Sequence, residues 1–129
     1  MERVRFVEHK GKMILVVDCG NCLPAEMQEV IDECGRVVQS QPEKSVLTLT
    51  IAGGGRFDLE TVNKLKKLTK DNEPYVIKAA LVGVTNLQHV VLMTVSHFTG
   101  REFHLFDDVE SAMDFLAASA PVAPTIAGA

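Results

Sequence analysis

The pattern of hydrophobic and polar residues changes its period near residue 18. Before that point, residues 4–8 and 13–18 form two short strand-like runs. The loop between them, 9–12, contains Gly11 and has the length of a hairpin loop. The chain is therefore predicted to open with two antiparallel strands.

After residue 18, apolar residues recur at helical spacing. The first such face has members at i, i+3, i+4, i+7, i+10 and i+11, namely Met27, Val30, Ile31, Cys34, Val37 and Val38. Pro24 suits the first helical position, where its missing N–H costs nothing. Gly35 lies inside the pattern and costs about 1 kcal/mol relative to alanine, so we expect the end of this helix to fray.

Strands and helices then alternate. Further strands are predicted at 45–51, 76–84 and 102–106, and a second helix at 58–70. The strand at 76–84 is almost continuously apolar, which is typical of a strand buried on both faces.

Two capping boxes mark the starts of the last two helices. Thr85 and Gln88 are three residues apart, as are Asp107 and Glu110, and each pair can cap a helix N-terminus. Gly100 is expected to end the third helix. The apolar residues predicted to be buried are Leu59, Val62, Leu65 and Leu68 in the second helix, Leu87, Val90, Val91, Val95 and Phe98 in the third, and Val109, Ala112, Met113 and Leu116 in the fourth.

The order of elements, β-β-α-β-α-β-α-β-α, predicts an α/β fold. We expect a mixed, mostly parallel sheet of about five strands with four helices and right-handed crossovers, in one domain at 1–117. The exposed edge strand of the opening hairpin can pair with the same strand of a second copy of the chain, so a homodimer is a further expectation. The segment 118–129 is rich in Ala and Pro, has no charged side chain, and is expected to be disordered.

The composition narrows the class of function. The 129 residues are 47% hydrophobic and 23% charged, as in ordinary globular proteins. The net charge of −4 argues against nucleic-acid binding, which depends on cationic contacts to phosphates. The sequence contains no signal-peptide pattern and no apolar run of the roughly 20 residues that span a bilayer, so we expect a cytoplasmic protein with no membrane span. The three cysteines are then expected to be thiols.

The predicted functional surface lies at the carboxyl ends of the parallel strands, where ligands and partners of open α/β sheets gather. Two loops there connect the third and fourth strands to their helices. The candidate partner- or ligand-binding residues of these loops are Gly53, Gly54, Gly55, Arg56, Asp58, Thr85 and Asn86. Three consecutive glycines allow the backbone to approach a partner closely, although a tight connection alone also needs glycine. Asp58 and Thr85 are explained more simply as helix-capping residues than as binding residues.

Residues for catalysis or metal binding are harder to assemble from the sequence. Cys19 and Cys22 form a C-x-x-C motif between a strand and a helix, which resembles a dithiol redox site. That hypothesis requires a thiol pKa clearly below neutrality. Cys34 lies on an apolar helix face, where it is predicted to be a packed core residue. His89 and His97 are eight residues apart and do not share a helix face. We therefore predict a non-enzymatic protein without metal, cofactor or catalytic residues.

The second helix is basic. It carries Lys64, Lys66, Lys67 and Lys70, with Arg56 upstream. A solvated outer face explains these lysines; alternatively, they attract an acidic partner or an anionic surface.

Several stretches resemble one protein family. They are Gln41-Pro42 followed by SVLTLT, then RFD at a helix start, NEPYVIKAALVGVTNLQ, and TGREFHLFDDVESAMDFL. Together they resemble the STAS fold of anti-sigma-factor antagonists, and more closely the small bacterial SpoIIAA-like (STAS/SEC14) domains. The resemblance covers nearly the whole chain apart from the tail.

The resemblance implies a non-enzymatic regulatory module that binds a protein partner. In true antagonists, a serine at the start of the helix after the glycine loop is phosphorylated, but Leu59 occupies that position here, with Thr61 as the nearest hydroxyl. The SEC14 side of the resemblance implies an alternative, a carrier or sensor of a small lipid-like or anionic ligand. Met93, Phe98 and Met113 are then candidates to line its cavity, although core packing is the more common role of such residues.

Overall fold

The computed structural model describes residues 3–119, and its element order is the predicted one. The opening hairpin consists of β1 (Val4–His9) and β2 (Lys12–Asp18). Lys10 and Gly11 form its two-residue loop with φ angles of 51° and 82°. Positive φ at both positions is characteristic of type I′ turns, whose twist matches that of the flanking strands. The hairpin loop is thus shorter than the predicted 9–12.

The sheet has five strands in the order β1-β2-β3-β4-β5. The remaining strands are β3 (Val46–Ile51), β4 (Val76–Val82) and β5 (His104–Phe106). β1 is antiparallel to β2, and all other neighbouring pairs are parallel. This confirms the predicted α/β class and mixed sheet.

Four helices cover the two faces of the sheet. The helices are α1 (Pro24–Val38), α2 (Leu59–Asn72), α3 (Asn86–Thr99) and α4 (Val109–Ser119). α2 packs between α1 and α3 on one face, whereas α4 covers the other. Successive β2 side chains therefore enter two separate cores: Leu15 and Val17 pack under α1, and Ile14 and Val16 pack against α4.

The end of α1 does not fray at Gly35, contrary to expectation, and the helix continues to Val38. A Cβ at Gly35 would lie 3.0 Å from Cδ1 of Leu68 in α2. The glycine therefore allows close packing of α1 against α2, and this contact offsets its low helix propensity.

The predicted buried face of α3 is largely wrong. Leu87 is 76% exposed, Val90 is 61% exposed and Phe98 is 57% exposed, whereas Gln88 and Leu92 are buried. Apolar residues occur on almost every side of this helix, so its periodicity did not identify the inward face. Only Val95 of the predicted face is fully buried, and Val91 is half-buried.

Other boundaries differ by a few residues. In α4, Asp108 rather than Asp107 caps the helix, accepting a hydrogen bond from the backbone N–H of Ser111 at 2.7 Å. The helix continues past the predicted domain end at 117 to Ser119. The rest of the predicted disordered tail lies outside the described residues. Among the helices of residues 3–119, none is long and apolar enough to cross a membrane.

Candidate functional site

The carboxyl ends of β3 and β4 meet, as predicted for the functional surface. Ile51 is in register with Val82, and the N–H of Ala52 donates to the carbonyl of Val82 at 2.9 Å. A Cβ at Gly83 would lie 3.4 Å from the backbone nitrogen of Gly53. The two predicted loops therefore form one surface.

A third loop, which the sequence analysis did not include, completes this surface. The N–H of Asn21 donates to the carbonyl of Gly53 at 3.0 Å, and the N–H of Arg56 donates to the carbonyl of Cys22 at 2.9 Å. β2 runs parallel to β3, so its exit loop had to reach the same edge. We call the combined surface, residues 18–23, 52–58 and 83–86, the rim.

The three consecutive glycines have different roles. A Cβ at Gly55 would lie 2.6 Å from the carbonyl oxygen of Cys19, and one at Gly54, whose φ is +79°, would overlap the side chain of Asn21. Both glycines therefore serve internal packing. Only Gly53 has open space beside its Cα, since a Cβ there would meet no atom within 4 Å. Among these three glycines, only Gly53 therefore leaves room for close approach of a partner to the backbone.

Asp58 and Thr61 form a reciprocal cap at the start of α2. The Asp58 carboxylate accepts from the N–H of Thr61 at 2.8 Å, and the Thr61 hydroxyl lies 2.7 Å from the Asp58 nitrogen. This N–H donor holds the pKa of Asp58 below its usual value, because it stabilises the ionised form. Thr61 is fully buried, so its hydroxyl is not accessible at the rim, whereas Arg56 is exposed there.

Thr85 and Asn86 lie exposed at the start of α3. The predicted capping box is present, with the Thr85 hydroxyl accepting from the N–H of Gln88 at 3.2 Å. The Gln88 side chain turns inward and donates to the carbonyls of Ala52 at 2.9 Å and Gly55 at 2.7 Å. Gln88 thus fixes the glycine loop to α3, a role that its capping motif did not reveal.

Exposed leucines lie at the N-termini of the three helices that start at the rim. Leu23 occupies the N-cap position of α1 and is 55% exposed, Leu59 begins α2 and is 77% exposed, and Leu87 lies in the first turn of α3. Large apolar side chains grouped at one edge are typical of an interaction surface. Leu59 and Leu87 had been predicted to be buried, so this apolar character was missed.

An apolar cavity of about 80 Å³ lies beneath the rim, between the sheet and the three helices. Its walls include Phe57, Leu65, Leu68, Leu81 and Leu92. Gln88 and Ala52 also line it, so the cavity reaches the underside of the glycine loop.

The residues predicted to line a ligand cavity do not line this one. Met93 and Phe98 are exposed on α3, and Met113 packs on the opposite side of the sheet. Met93 and Phe98 were placed wrongly for the same reason as the buried face of α3, because apolar residues occur on almost every side of that helix.

The cysteines are packed within the core. All three are buried, free thiols. Burial raises the pKa of Cys19 and of Cys34 to about 12, and it also raises the pKa of Cys22. The low thiol pKa that the dithiol hypothesis requires is therefore not found. Cys19 and Cys22 instead pack in the core beneath the surface of the rim.

The described residues contain no group of three or more histidines, cysteines and carboxylates that could hold a metal ion. His9 instead pairs with Asp114 of α4 at 2.7 Å.

No family model, curated protein or solved structure was found to match this chain.

Proposed function

We propose that this protein is a non-enzymatic binding domain that recognises a protein partner through the rim. The observation that carries the proposal is the exposure of Leu23, Leu59 and Leu87 at or near the starts of the three helices that begin at the rim, where the backbone at Gly53 is open. Apolar anchors beside an accessible backbone and a single exposed cation, Arg56, are the composition of a protein-recognition surface. The pKa values of the buried thiols also support a binding role rather than thiol chemistry.

The resemblance to SpoIIAA-like STAS domains supports a regulatory role, since the hairpin, the parallel sheet and the four helices are what it implies. The phosphoserine switch of antagonists is not part of the proposal. Leu59 occupies the corresponding position and Thr61 is fully buried, so neither offers an accessible hydroxyl. Recognition is proposed to depend on the apolar rim.

The test compares partners captured by the wild-type protein and by Gly53→Glu/Arg56→Glu. Gly53 is chosen because a Cβ there meets no atom within 4 Å, whereas a substitution at Gly54 or Gly55 would disturb the loop itself. The matched control is Lys44→Glu, an exposed charge reversal in the turn before β3. This turn lies at the amino end of β3, whereas the rim lies at its carboxyl end. We expect the rim variant to lose a partner that the wild type and the control retain. Identical partners for all three proteins would refute the proposal.

The apolar cavity favours a second candidate function, the binding of a small apolar ligand. About 80 Å³ accommodates only a small group or one end of a longer molecule, since an apolar cavity known to bind benzene measures roughly 150 Å³. Native mass spectrometry of the freshly purified protein would detect such a ligand as added mass. Val30→Leu extends a side chain on the cavity wall, so it should reduce the fraction of the protein that carries the added mass. Finding only the bare chain mass in every preparation would exclude this function.

A further inference from the structure

The groove between α2 and α3 carries a second exposed surface that runs away from the rim. Both helices start at the rim and pack side by side. Leu59 and Leu87 lie at its rim end, and Phe98 lies near the other end, 57% exposed. We call this surface, defined by Leu59, Lys66 and Lys70 of α2 and Leu87 and Phe98 of α3, the α2–α3 groove.

The lysines of α2 divide into two pairs with different surroundings. Lys64 and Lys67 are neutralised by carboxylates, at 2.9 Å from Asp32 and 2.7 Å from Asp71. Lys66 and Lys70 instead lie over the Phe98 ring, at 5.2 and 5.4 Å from its centroid.

No ion pair of residues 3–119 involves either Lys66 or Lys70. The groove therefore combines an exposed aromatic residue, Phe98, with two lysines that contact its ring and are not balanced by a carboxylate of residues 3–119. A complementary occupant must supply both an apolar face and negative charge.

We propose that the α2–α3 groove binds an acidic amphipathic helix of a protein partner. The apolar face of that helix packs on Leu87 and Phe98, and its carboxylates pair with Lys66 and Lys70. Leu87 and Phe98 are eleven residues apart, which corresponds to about 16 Å or three helical turns. The i, i+3/i+4 and i+7 anchors of a bound helix span about 10 Å and therefore fit within this length. This surface adjoins the rim and shares the exposed Leu59 and Leu87 with the proposed rim contact, whereas Lys66, Lys70 and Phe98 belong to later turns of α2 and α3.

Charge favours a peptide over the other occupants of an exposed apolar face. Anionic membranes are recognised by clusters of four to eight basic residues. The groove offers only two unbalanced lysines.

The experiment uses a synthetic, fluorescein-labelled amphipathic peptide as a probe. It has leucines at i, i+3 and i+7 and two glutamates on the same face, and a matched peptide has lysines in place of the glutamates. Fluorescence anisotropy should show that wild type binds the glutamate peptide. Lys66→Gln/Lys70→Gln should weaken binding roughly three- to tenfold. Lys64→Gln/Lys67→Gln, with the same change of charge at the two lysines that are paired with Asp32 and Asp71, should have little effect.

Leu87→Ser should weaken binding roughly tenfold, because it removes an apolar anchor that is already exposed and not required for folding. Circular dichroism should show unchanged secondary structure for every variant. Equal binding of the two peptides, or equal weakening by the two lysine double variants, would overturn the proposal.

Two further results would also overturn it. One is binding to vesicles containing phosphatidylserine without binding to the glutamate peptide. The other is a dimer, seen by light scattering, that Leu87→Ser dissociates, because a second copy would then cover the groove. The lysine comparison concerns residues outside the rim, whereas the Gly53→Glu/Arg56→Glu comparison changes residues of a rim loop, so the two proposals can fail separately.

Discussion

The side-chain amide of Gln88 donates a hydrogen bond of 2.7 Å to the carbonyl oxygen of Gly55. The bond joins the first turn of α3 to the loop that precedes α2, and both of its atoms are removed from solvent. A buried carbonyl without such a donor costs about 1–3 kcal/mol, so this contact helps to hold the rim in one conformation.

Gln88→Ala should therefore lower the free energy of unfolding by about 2 kcal/mol. It should also increase hydrogen exchange at the amides of residues 53–56, because the loop loses its attachment to α3. Urea denaturation and hydrogen exchange followed by mass spectrometry measure the two effects. Asn86→Ala, an exposed change in the same helical turn, is the control; a similar loss of stability in both variants would contradict the assigned role of Gln88.

The glycine loop should tolerate alanine at one position and not at another. Gly53→Ala should leave stability nearly unchanged, whereas Gly55→Ala should cost about 2–3 kcal/mol because its Cβ would collide with the Cys19 carbonyl. Urea denaturation of the two variants measures the difference. Equal stability would mean that the loop adjusts at no cost and that the packing of Gly55 is not needed.

The ion pair between α4 and the hairpin should give stability that depends on pH. The hydrogen bond from His9, with a further one from Lys10, holds the pKa of Asp114 below its usual value. A lowered folded-state pKa stabilises the protein fully above the unfolded value, about 3.9, and this contribution is lost as the pH falls through the folded pKa. Asp114→Asn should thus be less stable than wild type at pH 6, and the two should converge in strong acid. Urea midpoints measured across this range test it, and a difference that persists at pH 2 would contradict this origin.

The thiols should be unreactive in the folded protein. Burial raises the pKa of Cys19 to about 12, and all three cysteines are enclosed. Because the thiolate is the nucleophile, iodoacetamide at pH 7 should leave the native chain unmodified while alkylating all three residues in urea. Mass spectrometry counts the added groups. Rapid alkylation of native Cys19 or Cys22 would restore the dithiol hypothesis.

The sequence predicted the architecture better than the faces of the helices. Alternation of strands and helices was sufficient for the order of elements, and Thr85 and Gln88 correctly marked the start of α3. The buried face of α3 could not be read from the sequence, because apolar residues surround that helix and the inward-facing residue of its first turn is the polar Gln88.

The same limit applies to the candidate site. The meeting of the β3 and β4 loops followed from parallel topology, and the β2 loop could have been added by the same reasoning. By contrast, the internal roles of Gly54 and Gly55 depend on contacts with Asn21 and Cys19, which are more than thirty residues away in the chain. Contacts over that separation have no signature in local sequence patterns.

The sheet acts as a partition between two independently packed halves. Leu15 and Val17 belong to the half that contains the cavity, whereas Ile14 and Val16 belong to the half under α4. Layers stacked on a sheet lie about 10 Å from it, a separation at which the energetic effects of substitutions generally add. The cavity side can therefore change its shape through successive substitutions while the α4 side maintains the stability of the fold.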